Sequence, residues 1–134
     1  MEEVNRMKFS MTDGGFQTKT DYGELSVSGE EDYGFRPFQL MTSSIAVCSG
    51  GVLRKIMNKR HQTVHDIQIE AEVERDEKQA NKITAVHLHF IVKAENVTEA
   101  QMQKNMEWTK KNCSMVQSVK DSIAVTETFE LLSD

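Results

Sequence analysis

Proline and tryptophan occur once each in this 134-residue chain, cysteine twice, and positive charge is outweighed to a net −5. Each scarcity excludes something. No apolar run approaches the ~20 residues that cross a bilayer, so no membrane span is expected. With no basic surplus, nothing gathers phosphate backbones or anionic lipid, and nucleic acid is not an expected partner. The opening residues, Met1-Glu2-Glu3-Val4-Asn5-Arg6, are acidic and carry no apolar signal core, which predicts a cytoplasmic protein whose thiols rest reduced. The glycine pairs Gly14-Gly15 and Gly50-Gly51 lack the spacing of a phosphate-binding loop, so no nucleotide cofactor is expected. Neither internal repeats nor low-complexity segments occur.

What is present is a globular composition, 38% apolar and 28% charged, of a length that suits one domain over residues 1–134. Met7, Phe9 and Met11 alternate with Arg6, Lys8 and Ser10, the pattern of a half-buried strand. Asp13-Gly14-Gly15 reads as its turn, residues 16–20 as the return, and Leu25 and Val27 mark a third short strand. After an acidic loop, Arg36-Pro37 opens a helix expected over residues 37–58, because proline suits the first helical turn. Phe38, Met41, Ile45, Cys48, Val52 and Ile56 share one face of it, flanked by Ala46, Leu53 and Met57. So wide an apolar surface predicts a widely buried helix. Gly50-Gly51 in its middle predicts a close backbone approach or a bend, since each costs roughly 1 kcal/mol against alanine.

Ile67, Ile69, Ala71 and Val73 then alternate with polar residues, as do Val86, Leu88, Phe90 and Val92 beyond a polar turn at Glu77-Lys78-Gln79. Antiparallel pairing with Ala71 opposite Val86 and Glu70 opposite His87 is one consistent register. Thr98-Glu99-Ala100-Gln101 is a capping box that opens a second helix carrying Met102, Met106, Thr109 and Cys113 on one stripe. A short helix over residues 114–120 and a strand through Ile123, Val125 and Phe129 complete an α+β order, βββαββααβ.

Several residues are candidates for chemistry. Cys48, on the apolar face of the first helix, reads as inert packing ahead of a nucleophile, whereas for Cys113 the structural and reactive readings are even. Cys113 is expected in the first turn of the short helix behind an Asn112 or Ser114 cap, where unpaired amides favour a thiolate. His87 and His89 share a strand face with Glu70 and Gln68 opposite, but no third ligand stands at metal-binding spacing, so ordinary sheet partners and no metal are expected. His61 and His65 show no motif. The eight methionines read as core filler or as the lining of a plastic apolar pocket. The sequon Asn96-Val97-Thr98 is read as chance.

Arg36-Pro37-Phe38-Gln39-Leu40, followed by Ser43-Ser44-Ile45-Ala46-Val47-Cys48, resembles the central-helix motif of the OsmC/Ohr family, which places its first cysteine eleven residues after such a proline. Asn112-Cys113-Ser114, Val119 and Ile123-Ala124-Val125 are similar to the family's second-cysteine segment and last strand, so the likeness spans essentially the whole chain. The resemblance implies an OsmC-like fold, its central helix packed against antiparallel sheet in an intertwined homodimer, and a thiol peroxidase acting on organic hydroperoxides in oxidative stress defence. Carried over, Cys48 is the peroxidatic thiol and Cys113 the resolving one, joined in turn as a disulfide and reduced by a dithiol such as a lipoyl group. The resemblance calls for no cofactor.

The chain departs from the family pattern where the thiolate is activated. Phe38-Gln39 stands where a glutamate is expected, Phe16 where the best-known peroxidase branch has its arginine, and Ser114 where many relatives carry proline. Arg36 and Gln39 are the candidate replacements. The alternative reading is a non-catalytic dimer of the same fold that binds an apolar or electrophilic small molecule.

Overall fold

The computed structural model describes residues 5–132, and the opening segment and the last two residues lie outside it, as does much of the expected non-signal N-terminus. Two compact units divide within the central helix, one ending at Met41 and the other beginning at Thr42.

The first unit is an antiparallel sheet of β1 (Ser10–Met11), β2 (Phe16–Lys19) and β3 (Glu24–Val27), in the order β1-β2-β3. The Asp13-Gly14-Gly15 turn closes with the Thr12 amide donating to the Gly15 carbonyl at 2.8 Å. A Cβ at Gly15 would stand 2.4 Å from the Val27 carbonyl oxygen, so this turn admits no side chain there. The expected strand through residue 7 shortens to Ser10–Met11, and Met7, Phe9 and Met11 are 56%, 50% and 81% exposed rather than half-buried. Alternation alone marks a strand only where a neighbour is present to take its hydrogen bonds.

Helix α1 (Pro37–Lys59) starts at its proline as the sequence indicates, with the Arg36 carbonyl accepting the Gln39 and Leu40 amides. Within the second unit its buried row is Ile45, Ser49, Leu53 and Met57, one position round from the expected Cys48–Val52–Ile56 row, which is only partly buried. The Leu53–Met57 flank is therefore the main contact, and Cys48 lies at its margin. At Gly50 the close neighbour is a side chain rather than the expected backbone: a Cβ there would lie 2.8 Å from Cδ1 of Ile69. Gly51 has open space around it.

Strands β4 (Thr63–Asp76) and β5 (Lys82–Glu95) form the expected hairpin around a short 3-10 helix, Glu77–Gln79. Asp76 caps that turn through the Lys78 amide, and Ala80 and Asn81 take left-handed backbone conformations to exit it. The register differs from the expected one by two residues: Ala71 faces Leu88, Val73 faces Val86, Glu70 faces His89 and Glu72 faces His87. Any even shift keeps the apolar residues on one face, so the turn and the irregularity between Glu74 and Arg75 decide the pairing.

Helices α2 (Glu99–Asn112) and α3 (Ser114–Val119) lead to β6 (Ala124–Leu132), which joins β5 in parallel, so the sheet β4-β5-β6 is mixed rather than wholly antiparallel. The Thr98 capping box is complete, and Val97 packs on the core. Asn96 takes a left-handed conformation and donates from its amide to the His61 carbonyl at 2.9 Å, so the sequon asparagine serves the local fold.

The core lies on one face of this sheet. Val86, Leu88, Phe90 and Val92 of β5 are buried with Ile45, Leu53 and Met57 of α1 and Met102 and Met106 of α2, so these methionines fill the core. Arg60 stacks 4.8 Å over Trp108 and donates to Asn105 Oδ1 at 2.7 Å, while the fully buried Asn105 donates to Gln62 at 2.7 Å. These bonds satisfy polar groups that would otherwise be costly to bury. Glu127, paired with Leu88, is the exception on the inner face: its Oε2 is buried with no hydrogen-bond partner. Burial raises its pKa above the usual carboxylate range, and Lys110 offsets part of that rise. On the outer face His87 bonds Thr126 at 2.7 Å and Thr128 at 3.0 Å, and His89 bonds Thr128 at 2.7 Å. No group of three or more metal-ligating side chains occurs among the described residues.

Candidate active site

The second unit brings Cys48 and Cys113 together. Cys48 lies on α1 at the margin of the core, half-buried; Cys113 ends α2 and begins α3, fully buried. Rather than following a cap, Cys113 is itself the capping residue of α3, in an extended conformation that turns the chain between the two helices. Both are free thiols.

Ser114 Oγ lies 3.6 Å from Cys48 Sγ, and Ser49 Oγ donates to Cys113 Sγ at 3.4 Å. Each serine thus follows one cysteine in the chain and touches the other. Helix geometry produces this crossing: successive residues point about 100° apart, so Ser49 enters the buried row while Cys48 stays at its edge.

The two thiols titrate in opposite directions. Burial pushes the Cys48 thiol up, but hydrogen bonds from the Met115 amide, the Cys113 side chain, and the Ser114 side chain and amide outweigh it and hold the pKa below the ordinary cysteine value. For Cys113, deeper burial dominates and raises the pKa; the Ser49 hydroxyl and Val116 amide lower it in part, and donation to Cys48 adds to the rise. The arrangement therefore favours a thiolate at Cys48 beside a neutral thiol at Cys113. That is the charge state in which one sulfur attacks an electrophile and the other attacks the product.

Arg36 and Gln39 belong to the first unit. The Arg36 guanidinium lies 4.9 Å from the centroid of the Phe38 ring, and Gln39 is exposed. Within the second unit, Ser114 Oγ lies against Cys48, and Met115, Cys113 and Ser114 are the groups that lower its pKa. Sequence reasoning missed Ser49 and Ser114. The signal was there in the dipeptide Cys-Ser, present at both cysteines.

A profile of the family described as OsmC-like protein matches residues 29–128. Protein YhfA of Escherichia coli K12 is 24% identical over 98 residues, covering 72% of this chain and 73% of that protein. Among solved structures, a hypothetical protein from Aquifex aeolicus VF5 superposes with a TM-score of 0.88 at 25% identity, covering 99% of each chain. An organic hydroperoxide resistance protein from Elizabethkingia anophelis superposes with a TM-score of 0.72 at 15% identity, covering 98% of this chain and all of that one. The matched profile spans both cysteines, the central helix and most of the last strand, and the chain belongs to the OsmC-like protein family.

Proposed function

We propose that this protein is a cysteine-based peroxidase that reduces organic hydroperoxides in defence against oxidative stress. The observation that carries the reading is the convergence of the half-buried Cys48 and the buried Cys113, each touched by the serine that follows the other, at 3.6 and 3.4 Å, with the Cys48 pKa held below its ordinary value. Hydroperoxide resistance proteins of the same fold support the substrate class.

The Cys48 thiolate attacks the terminal oxygen of ROOH, the O–O bond breaks, and the alkoxide takes a proton from solvent to leave as ROH. Sulfur has gained the oxygen as sulfenic acid, a two-electron oxidation. The Cys113 sulfur then displaces that oxygen, its own proton leaving with it in water, and a Cys48–Cys113 disulfide forms. A dithiol of the lipoyl type returns both sulfurs to thiols and is itself oxidised to a cyclic disulfide. The working form is a cytoplasmic homodimer, as the family resemblance implies.

The test is turnover of cumene hydroperoxide with dihydrolipoamide. The parent protein should consume peroxide and dithiol one for one, whereas Cys48→Ser should not; equal rates in the two would reject Cys48 as nucleophile.

A further inference from the structure

A nucleophilic thiolate needs groups that stabilise its charge, and hydrogen-bond donors aimed at the sulfur supply part of that. Ser49 Oγ donates to Cys113 Sγ at 3.4 Å and Ser114 Oγ lies 3.6 Å from Cys48 Sγ, and the Cys113 side chain is among the groups that lower the Cys48 pKa. A hydroxyl can give or accept a hydrogen bond beside a neutral thiol; beside a thiolate, which has no proton, it can only donate. Ser49 acts at one remove. By occupying a lone pair of the Cys113 sulfur it leaves that thiol's proton free for Cys48, and donors in series polarise one another.

We propose that Ser114 and Ser49 are positioning residues that hold the Cys48 thiolate, Ser114 by donating to it directly and Ser49 through a hydrogen-bond chain, Ser49 to Cys113 to Cys48. For its catalytic consequence this rests on the peroxidase reading; for its effect on the thiol it does not. The chain also orients the pair. Ser114 fixes the Cys48 sulfur while leaving it half open to solvent, and Ser49 fixes the Cys113 sulfur fully out of solvent. A peroxide therefore meets Cys48 first. The second sulfur is already in place when the sulfenic acid forms.

The experiment is the pH profile of Cys48 carboxamidomethylation by iodoacetamide, read by mass spectrometry of the Cys48 peptide in the intact reduced protein. Ser114→Ala should slow labelling at pH 7 by about three- to tenfold, as expected for loss of one hydrogen bond to a charged group, and leave the alkaline plateau unchanged. Ser114→Thr, which keeps the hydroxyl, should return the profile to that of the parent. Ser49→Ala should slow labelling by about two- to threefold, acting through Cys113. Circular dichroism checks that each variant is folded. A Ser114→Ala profile that superimposes on the parent's overturns the proposal, as does a shift that Ser114→Thr fails to reverse. A shift in a protein that turns over no hydroperoxide supports the chain and rejects the peroxidase reading, so the two failures are distinguishable.

Discussion

The stretch of α1 that carries Cys48 and the α2–α3 junction that carries Cys113 meet in one hydrogen-bonded cluster, yet they treat the same functional group differently. On α1 the thiol stands at the edge of a buried row, partly open to water, and collects donors from a neighbouring element. At the junction the thiol is enclosed with Thr109 and Val116, all without exposed surface, and burial wins. The lesson is that enclosure and donors act against each other. A sulfur becomes reactive where donors arrive before the desolvation cost is complete.

The largest effect that would break this comparison is catalytic. Cys48→Ser should lower steady-state hydroperoxide reduction by about a hundredfold or more, as expected for loss of a nucleophile. Cys113→Ser should still form one sulfenic acid per chain, trapped by dimedone and seen by mass spectrometry, while losing the disulfide. Interchanged phenotypes would reverse the roles.

Labelling order comes next. At pH 7 the native protein should be alkylated at Cys48 at least about tenfold faster than at Cys113, because rate follows thiolate fraction and access. The direction follows from the shifts: the lowered pKa makes Cys48 ionise first as pH rises, and the raised one makes Cys113 ionise last. In denaturant the two rates should converge, which separates environment from local sequence.

Stability should divide the other way. Cys113→Ala removes a fully buried sulfur and should cost about 1–2 kcal/mol in urea unfolding, whereas Cys48→Ala should cost less than about 0.5 kcal/mol. Equal costs would mean that Cys48 is enclosed in solution.

The smallest effect extends the enclosure argument to Glu127. Its raised pKa means that the fold favours the neutral carboxyl, a contribution fully present below the ordinary carboxylate range and lost as pH rises through the raised pKa. Glu127→Gln removes that loss. The variant should melt roughly 2 °C above the parent at pH 8, and the gap should close at pH 4. A constant gap would show that Glu127 does not titrate in this range.

The order of elements, the start of α1 at Pro37 and the Thr98 capping box could be read from the sequence because each rests on local signals: periodicity, a fixed φ, a side chain reaching its own backbone. The hairpin was legible in its faces but not in its register, since alternation is unchanged by a shift of two. That β6 runs parallel to β5 has no local signature, because direction depends on where α2 and α3 deliver the chain. At the site the cysteines were legible and their partners were not. Ser49 and Ser114 gain their role from the meeting of segments distant in sequence, and a serine carries no sign of what will face it.

The parallel joining of β6 has a consequence for the chain as it is made. A hairpin such as β4–β5 can form within microseconds of its residues becoming available, but a parallel strand must wait for the whole crossover that precedes it. On a ribosome, α1 emerges with Cys48 well before the α2–α3 junction that supplies its donors, and before the β6 that follows. Until then Cys48 should ionise like any cysteine, near pH ~8.5, and sit mostly protonated in a neutral cell. Oxidants would thus meet a sluggish thiol on the nascent chain and a reactive one on the finished protein, so the onset of Cys48 reactivity marks the completion of folding.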